Sequence, residues 1–191
     1  MSNGPDLNPH HLLNIFLHHL EVPAAFIPGS LLLGGAAWWL APRRGWARVP
    51  AVLAGCGLAL ALALTVARPI GRFAVGGLNP LTTLQQCMAG SLSLAGIYEQ
   101  LNVAILIPFA IFGTLATRRP LPIAASCLAV SGFVEFVQSA TGGGQCQMRD
   151  LVHNTAGGLL GVLLAVVVLW LAARRSRRIT AEVGAGSGSS R

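Results

Sequence analysis

The chain has 191 residues, a net charge of +7, 10% charged residues and a mean hydropathy of +0.65. A soluble domain carries about 25% charged residues, so the composition excludes that class and describes an integral membrane protein. All the positive side chains are arginines set in short clusters, a pattern of topology signals that points away from nucleic-acid binding.

In chain order, residues 1–23 lack Lys and Arg. The basic n-region of a cleavable signal peptide is missing there, so the first apolar run is expected to be an anchor. Before it, the stretch PHHLLNIFLHHLE from Pro9 to Glu21 places His10, His11, Asn14, His18 and Glu21 on one helical face and Leu13, Phe16, Leu17 and Leu20 on the other. This predicts an extracytoplasmic amphipathic helix lying on the membrane. With no fixed i, i+4 pair formed by His11 and His18, a solvated polar face is favoured over a metal site.

Five runs are long enough to cross a hydrocarbon core, near 24–41, 50–67, 101–117, 121–140 and 154–173. The expected fold is an all-α, polytopic helical bundle. The first two spans occupy 24–67, a core with three further spans occupies 68–173, and a tail follows from 174. Pro42 and Pro50 flank the first connection and Pro69 follows the second run. Pro108 falls inside the third and predicts a kink, since proline removes a backbone hydrogen bond. The tail, ending GAGSGSSR, is expected to be disordered because it has little to bury.

Arginine placement predicts orientation. Arg43, Arg44, Arg48, Arg118, Arg119, Arg174, Arg175, Arg177 and Arg178 fall on one side of a five-span protein, and Arg68, Arg72 and Arg149 on the other. By the positive-inside rule, nine against three puts the N-terminus outside and the C-terminus in the cytoplasm.

The stretch from Gly132 to Gly161, GFVEFVQSATGGGQCQMRDLVHNTAGGLLG, sets polar residues between two apolar runs. An ionisable group at bilayer depth costs at least about 2.5 kcal/mol on insertion scales, so Glu135 is a functional-site candidate with Arg149 as its expected partner. Glu135 and Gln138 share a helix face near the outer end of the fourth span. Arg149, Asp150 and His153 lie in the outer connection, Asn154 opens the fifth span and Asn102 sits at the outer end of the third. Gly157, Gly158 and Gly161 recur with Asn154 at helical spacing, and Gly157 and Gly161 form a GxxxG pair. The expectation is that this face packs the fifth span against the fourth and carries Asn154 toward Glu135 and Gln138.

These elements, ExxQ at Glu135 to Gln138, Arg149-Asp150, and NTxGxxxG at Asn154 to Gly161, resemble the signature of the VanZ-like family of bacterial membrane proteins. NVAILIPFAIFG from Asn102 to Gly113 is similar to that family's second conserved segment, and GLNPL at Gly77 to Leu81 resembles its short NL-x-P element. The resemblance runs from Arg68 to Trp170, with the second span matching the family's first. His153 replaces a more usual aliphatic residue, and GGGQC lengthens a loop that is often short. The resemblance implies a cell-envelope role, the family's name-giving member being associated with reduced susceptibility to teicoplanin, and it implies no known reaction.

Cys56 and Cys127 lie in apolar runs and are expected to be buried hydrophobes. Cys87 and Cys146 both fall in outer connections, where a disulfide would persist and clamp the long second connection over the ExxQ site; the other reading is two free thiols. Three functions remain open. The first is a non-enzymatic protein that binds or reorganises a lipid, lipid-linked or lipoglycopeptide molecule, with Arg149 as a fork for phosphate or carboxylate and Gln138 and Asn154 adding amide bonds. The second is an intramembrane enzyme with Glu135 or Asp150 as general base, assisted by His153. The third is a structural subunit of a membrane complex or homo-oligomer in which Glu135 and Arg149 fix helix register. The sequence carries no nucleophile elbow, H-E-x-x-H or paired-histidine motif, and no cofactor is expected.

Overall fold

The computed structural model describes residues 20–66, 97–141 and 148–187. The helices are α1 (Glu21–Arg44), α2 (Arg48–Val66), α3 (Ile97–Ile105), α4 (Ile107–Thr117), α5 (Pro120–Thr141) and α6 (Met148–Ser187), with no strand among the described residues. Among the described residues, five helical spans are long and apolar enough to cross a membrane, with α3 and α4 forming one of them between Glu99 and Thr117. The protein is an all-helical multi-pass membrane protein, and each span lies at the position its apolar run predicts. The histidine-rich segment from Pro9, the GLNPL element, Cys87 and Cys146 lie outside the described residues, so neither the surface helix nor the clamp bears on the geometry below.

Punctuation explains most of the boundaries. The third span breaks at Leu106 because Pro108, in the first turn of α4, has no N–H to offer the preceding turn. α1 runs through Pro42 and ends at Gly45, whose φ of 67° closes the helix while its N–H bonds to the Ala41 carbonyl. The first span therefore extends about a turn beyond Ala41, the end its apolar run predicts. α6 differs more. It continues to Ser187, about 60 Å of helix at 1.5 Å per residue, and so occupies most of the tail expected to be disordered. An already nucleated helix adds residues at little cost, and Ala172, Ala173 and the arginines that follow are good helix formers.

α1 packs on α2, α2 on α4, and α6 on α3, α4 and α5. The core comprises Ala61 of α2, Leu106 at the break, Ala110 of α4, Cys127 of α5 and Val162 of α6, with Ile105 of α3 packed against it. Outside it, α6 turns Leu159, Leu160, Leu163, Leu164, Val167 and Leu171 outward. In water that surface would be a liability; in a spanning helix it faces lipid.

Small residues set the helix spacing. A Cβ on Gly157 would overlap the Val103 carbonyl, and one on Gly161 would come to 2.9 Å from both Ala110 Cβ and the Ile107 carbonyl oxygen. One on Gly158 would stand 2.6 Å from Cys127 Cβ. The GxxxG pair therefore packs against the third span, where the fourth had been expected, and Gly158 makes the close approach to the fourth. Neighbouring helix positions are rotated by about 100°, so a run of glycines can serve two faces at once.

At one end of the bundle the Ala47 N–H bonds to the Ala116 carbonyl across 3.1 Å, joining the first connection to the end of α4. This end gathers Arg43, Arg44, Arg48, Arg118 and Arg119. Arg43 lies over Trp39 with its carbon 3.6 Å from the ring centre, Arg48 over Trp38 at 5.2 Å, and Arg174 over Trp170 at 3.5 Å. Trp46 packs on Ala41, Ala51 and Ala116. Tryptophans and arginines at one level make an interfacial belt.

Candidate functional site

The opposite end of the bundle is built from the last turn of α2, the first of α3, the last of α5 and the first two of α6. The glycine contacts fix how these turns align. α3 and α6 run parallel, so one turn back from the Val103–Gly157 contact brings Glu99 level with His153. α5 and α6 run antiparallel. One turn from Cys127–Gly158 puts Asn154 level with Ser131, and a second turn puts Asp150 level with Glu135.

The side chains follow that alignment. Arg149 places Nη1 3.2 Å from Glu99 Oε1, with Nε 3.7 Å from Asp150 Oδ1; the Arg149 and Glu99 side chains are 27% and 16% exposed. Glu135 is buried at 6% exposure, His153 at 5% and Asn154 at 3%. His153 Nδ1, Asn154 Oδ1 and Ser131 Oγ are buried and have no hydrogen-bond partner among the described residues. Gln138 donates from Nε2 to the Thr65 carbonyl at 3.1 Å, tying α5 to the end of α2. Thr65 turns its own hydroxyl back to the Ala61 carbonyl at 2.7 Å.

Of the residues singled out from the sequence, Glu135, Gln138, Arg149, Asp150 and Asn154 come to this one end. Asn102 is half-buried on α3, one residue before the Val103–Gly157 contact. Glu99 went unnoticed, because the third span had been started at residue 101 and left this acid in a connection. Its signal was present: Glu99, Asn102 and Val103 are spaced i, i+3, i+4 and so share a face. With Glu99 and Asp150 beside it, the Arg149 guanidinium belongs to an acid–base cluster and does not meet a ligand as a lone cation.

No group of three or more His, Cys, Asp and Glu side chains suited to a metal occurs among the described residues. Chemically, the end of the bundle offers carboxylates, an imidazole, amides and a guanidinium, partly shielded from water and set at the end of a helical membrane bundle. That defines a multi-pass membrane protein with a buried polar centre near one membrane surface. A family model described as VanZ/LLP1 matches residues 63–170, more than half of the chain, and the protein belongs to that family. The match begins at Ala63, in the last turn of α2, so it takes in the whole polar end and leaves α1 and most of α2 outside, close to the stretch from Arg68 to Trp170 over which the resemblance ran. Neither a curated protein nor a solved structure matches the chain.

Proposed function

We propose that this VanZ-family protein binds an amphiphilic molecule of the bacterial envelope at the polar end of its bundle, and that this end faces outward. The ligand class is a lipid, a lipid-linked precursor or a lipoglycopeptide. The observation that carries the reading is the pair of neighbouring residues His153 and Asn154, buried with Nδ1 and Oδ1 lacking partners among the described residues. Each such group costs about 1–3 kcal/mol when left unmatched. A headgroup with both donors and acceptors would offset that cost, and the adjoining Glu135, Arg149 and Asp150 would orient it. The outward orientation rests on the nine arginines at the other end.

The test compares teicoplanin and vancomycin susceptibility in cells carrying the wild type, Glu135→Gln or Arg149→Ala at matched membrane levels. The wild type is expected to lower teicoplanin susceptibility and each variant to lose that effect. Identical behaviour of all three would remove the polar end from any envelope role. An intramembrane enzyme is the second reading, favoured by buried His153 one turn from Asp150 on the same helix. It parts from the first on Asp150→Asn and Glu135→Gln, one of which must abolish turnover while leaving headgroup binding in place.

A further inference from the structure

On the far side of α2 from the core, α1 and α2 leave a groove of about 350 Å³ lined by Ala25, Gly29 and Leu33 on one helix and Leu62, Ala63 and Val66, with Ala59, on the other. Every lining residue is apolar. Its floor exists because the residues there are small: a Cβ on Gly29 would already touch Ala59 Cβ at 3.4 Å, and a little deeper Gly55 lies against the Leu33 carbonyl. From Ala25 to Leu33 there are eight helical rises, or about 12 Å of helix.

Size decides what fits. A helix segment of that length, about 10 Å across, occupies about 900 Å³, far more than the groove offers. A polymethylene chain with carbon contacts near 4–4.5 Å occupies about 200 Å³ over the same length. The groove lies within two membrane spans, so hydrocarbon is what surrounds it.

The groove reaches the same end of the bundle as the polar centre, on the other face of α2. Val66, on its wall, follows Thr65, whose carbonyl accepts the Gln138 amide; Gln138 lies one turn beyond Glu135. We infer that the groove holds one hydrocarbon chain of the same amphiphile whose headgroup the polar end binds, which deepens the proposed function and rests on it. Acyl carbon gains no hydrophobic energy by leaving other acyl carbon. The preference comes from tethering: once the headgroup is held, its own chain is present at the groove at high effective concentration. α1, outside the family match, then has the task of forming one wall of the tail site.

The test uses the full chain in phosphatidylglycerol nanodiscs containing a phosphatidylglycerol with a photoreactive group midway along one acyl chain. Cross-links on the Ala25–Leu33 and Leu62–Val66 peptides are expected to exceed those on the lipid-facing Leu159–Leu171 peptide by about fivefold. Ala25→Trp, which fills the groove, should abolish the excess, and Ala25→Leu should reduce it should the larger side chain impair folding. Ala36→Trp, on an exposed part of α1, should leave it intact. Even labelling of all three peptides, or cross-links to a second copy of the chain in place of lipid, would overturn the proposal. So would an excess that survives Arg149→Ala, since head and tail would then not belong to one molecule. If the polar-end variants change teicoplanin susceptibility while Ala25→Trp changes neither labelling nor susceptibility, the groove inference falls and the headgroup reading stands.

Discussion

The two ends of the bundle are both polar, and they treat their charges in opposite ways. At the arginine end, Arg43, Arg48 and Arg174 lie exposed over tryptophan rings and reach water. At the other end Glu135, His153 and Asn154 are buried, and the Arg149–Glu99 pair is largely covered. Exposed charges at a membrane surface act through the solvent and the lipid headgroups, so each can be exchanged for its neighbour. Buried ones depend on the spacing of the helices that carry them. The contrast teaches where this protein has committed its packing: the two glycines with the closest neighbours, Gly157 and Gly158, lie on α6 just beyond the buried polar groups, with Gly161 one turn further on, and they hold that part of α6 in register.

The sharpest way to break that contrast is to force the seam open. Gly157→Leu places carbon where the Val103 carbonyl already is, so α3 and α6 must part and Glu99 must leave Arg149. A loss of about 3 kcal/mol is expected, at the upper end for overpacking, read as thermal unfolding in detergent. Gly35→Ala is the control, because a Cβ there meets nothing within 4 Å; it should be neutral or slightly stabilising. Equal effects from both would mean that α6 is not held by this contact.

A smaller effect is expected from the ion pair itself. Arg149→Ala and Glu99→Ala should each destabilise by about 1–2 kcal/mol, and the double-mutant cycle should return a coupling of about 1 kcal/mol, more than the few tenths typical of an exposed pair. Carried out on Arg43 and Glu21, which lie at opposite ends of α1, the same cycle should give zero. A zero at Arg149 and Glu99 as well would erase the energetic difference between the two ends.

How much of this could be read in advance depends on whether a feature is local. Spans, the Leu106 break and the convergence of ExxQ with the Arg149 to Asn154 segment were legible, because an apolar run, a proline and an up-and-down topology each constrain position along the membrane normal. Lateral position was not. The sequence put Gly157 and Gly161 on one face, but only the packed helices show that this face meets Val103 and Ile107. Glu99 was missed by two residues of span boundary, and the exit of α6 to Ser187 by treating a polar composition as the end of a helix. These failures share a cause: hydropathy reports depth in a bilayer and carries no information about which neighbour a face has.

The smallest prediction concerns the arginine end, where exchange should be nearly free. Arg118 ends α4 in the left-handed region, with φ at 55°, and its N–H caps the Thr114 carbonyl at 2.8 Å. A residue with a Cβ pays for that conformation and glycine does not, while glycine also gives the unfolded chain more freedom, so the two contributions oppose. The native-state strain, about 1 kcal/mol, should win by a few tenths, and Arg118→Gly should raise the thermal midpoint slightly. Arg119 and the arginines of the first connection remain, so a C-terminal topology reporter should read the same side as in the wild type. If Arg118→Gly instead costs as much as Arg149→Ala, its charge is fixed in place like those at the buried end, and the two ends do not differ in kind.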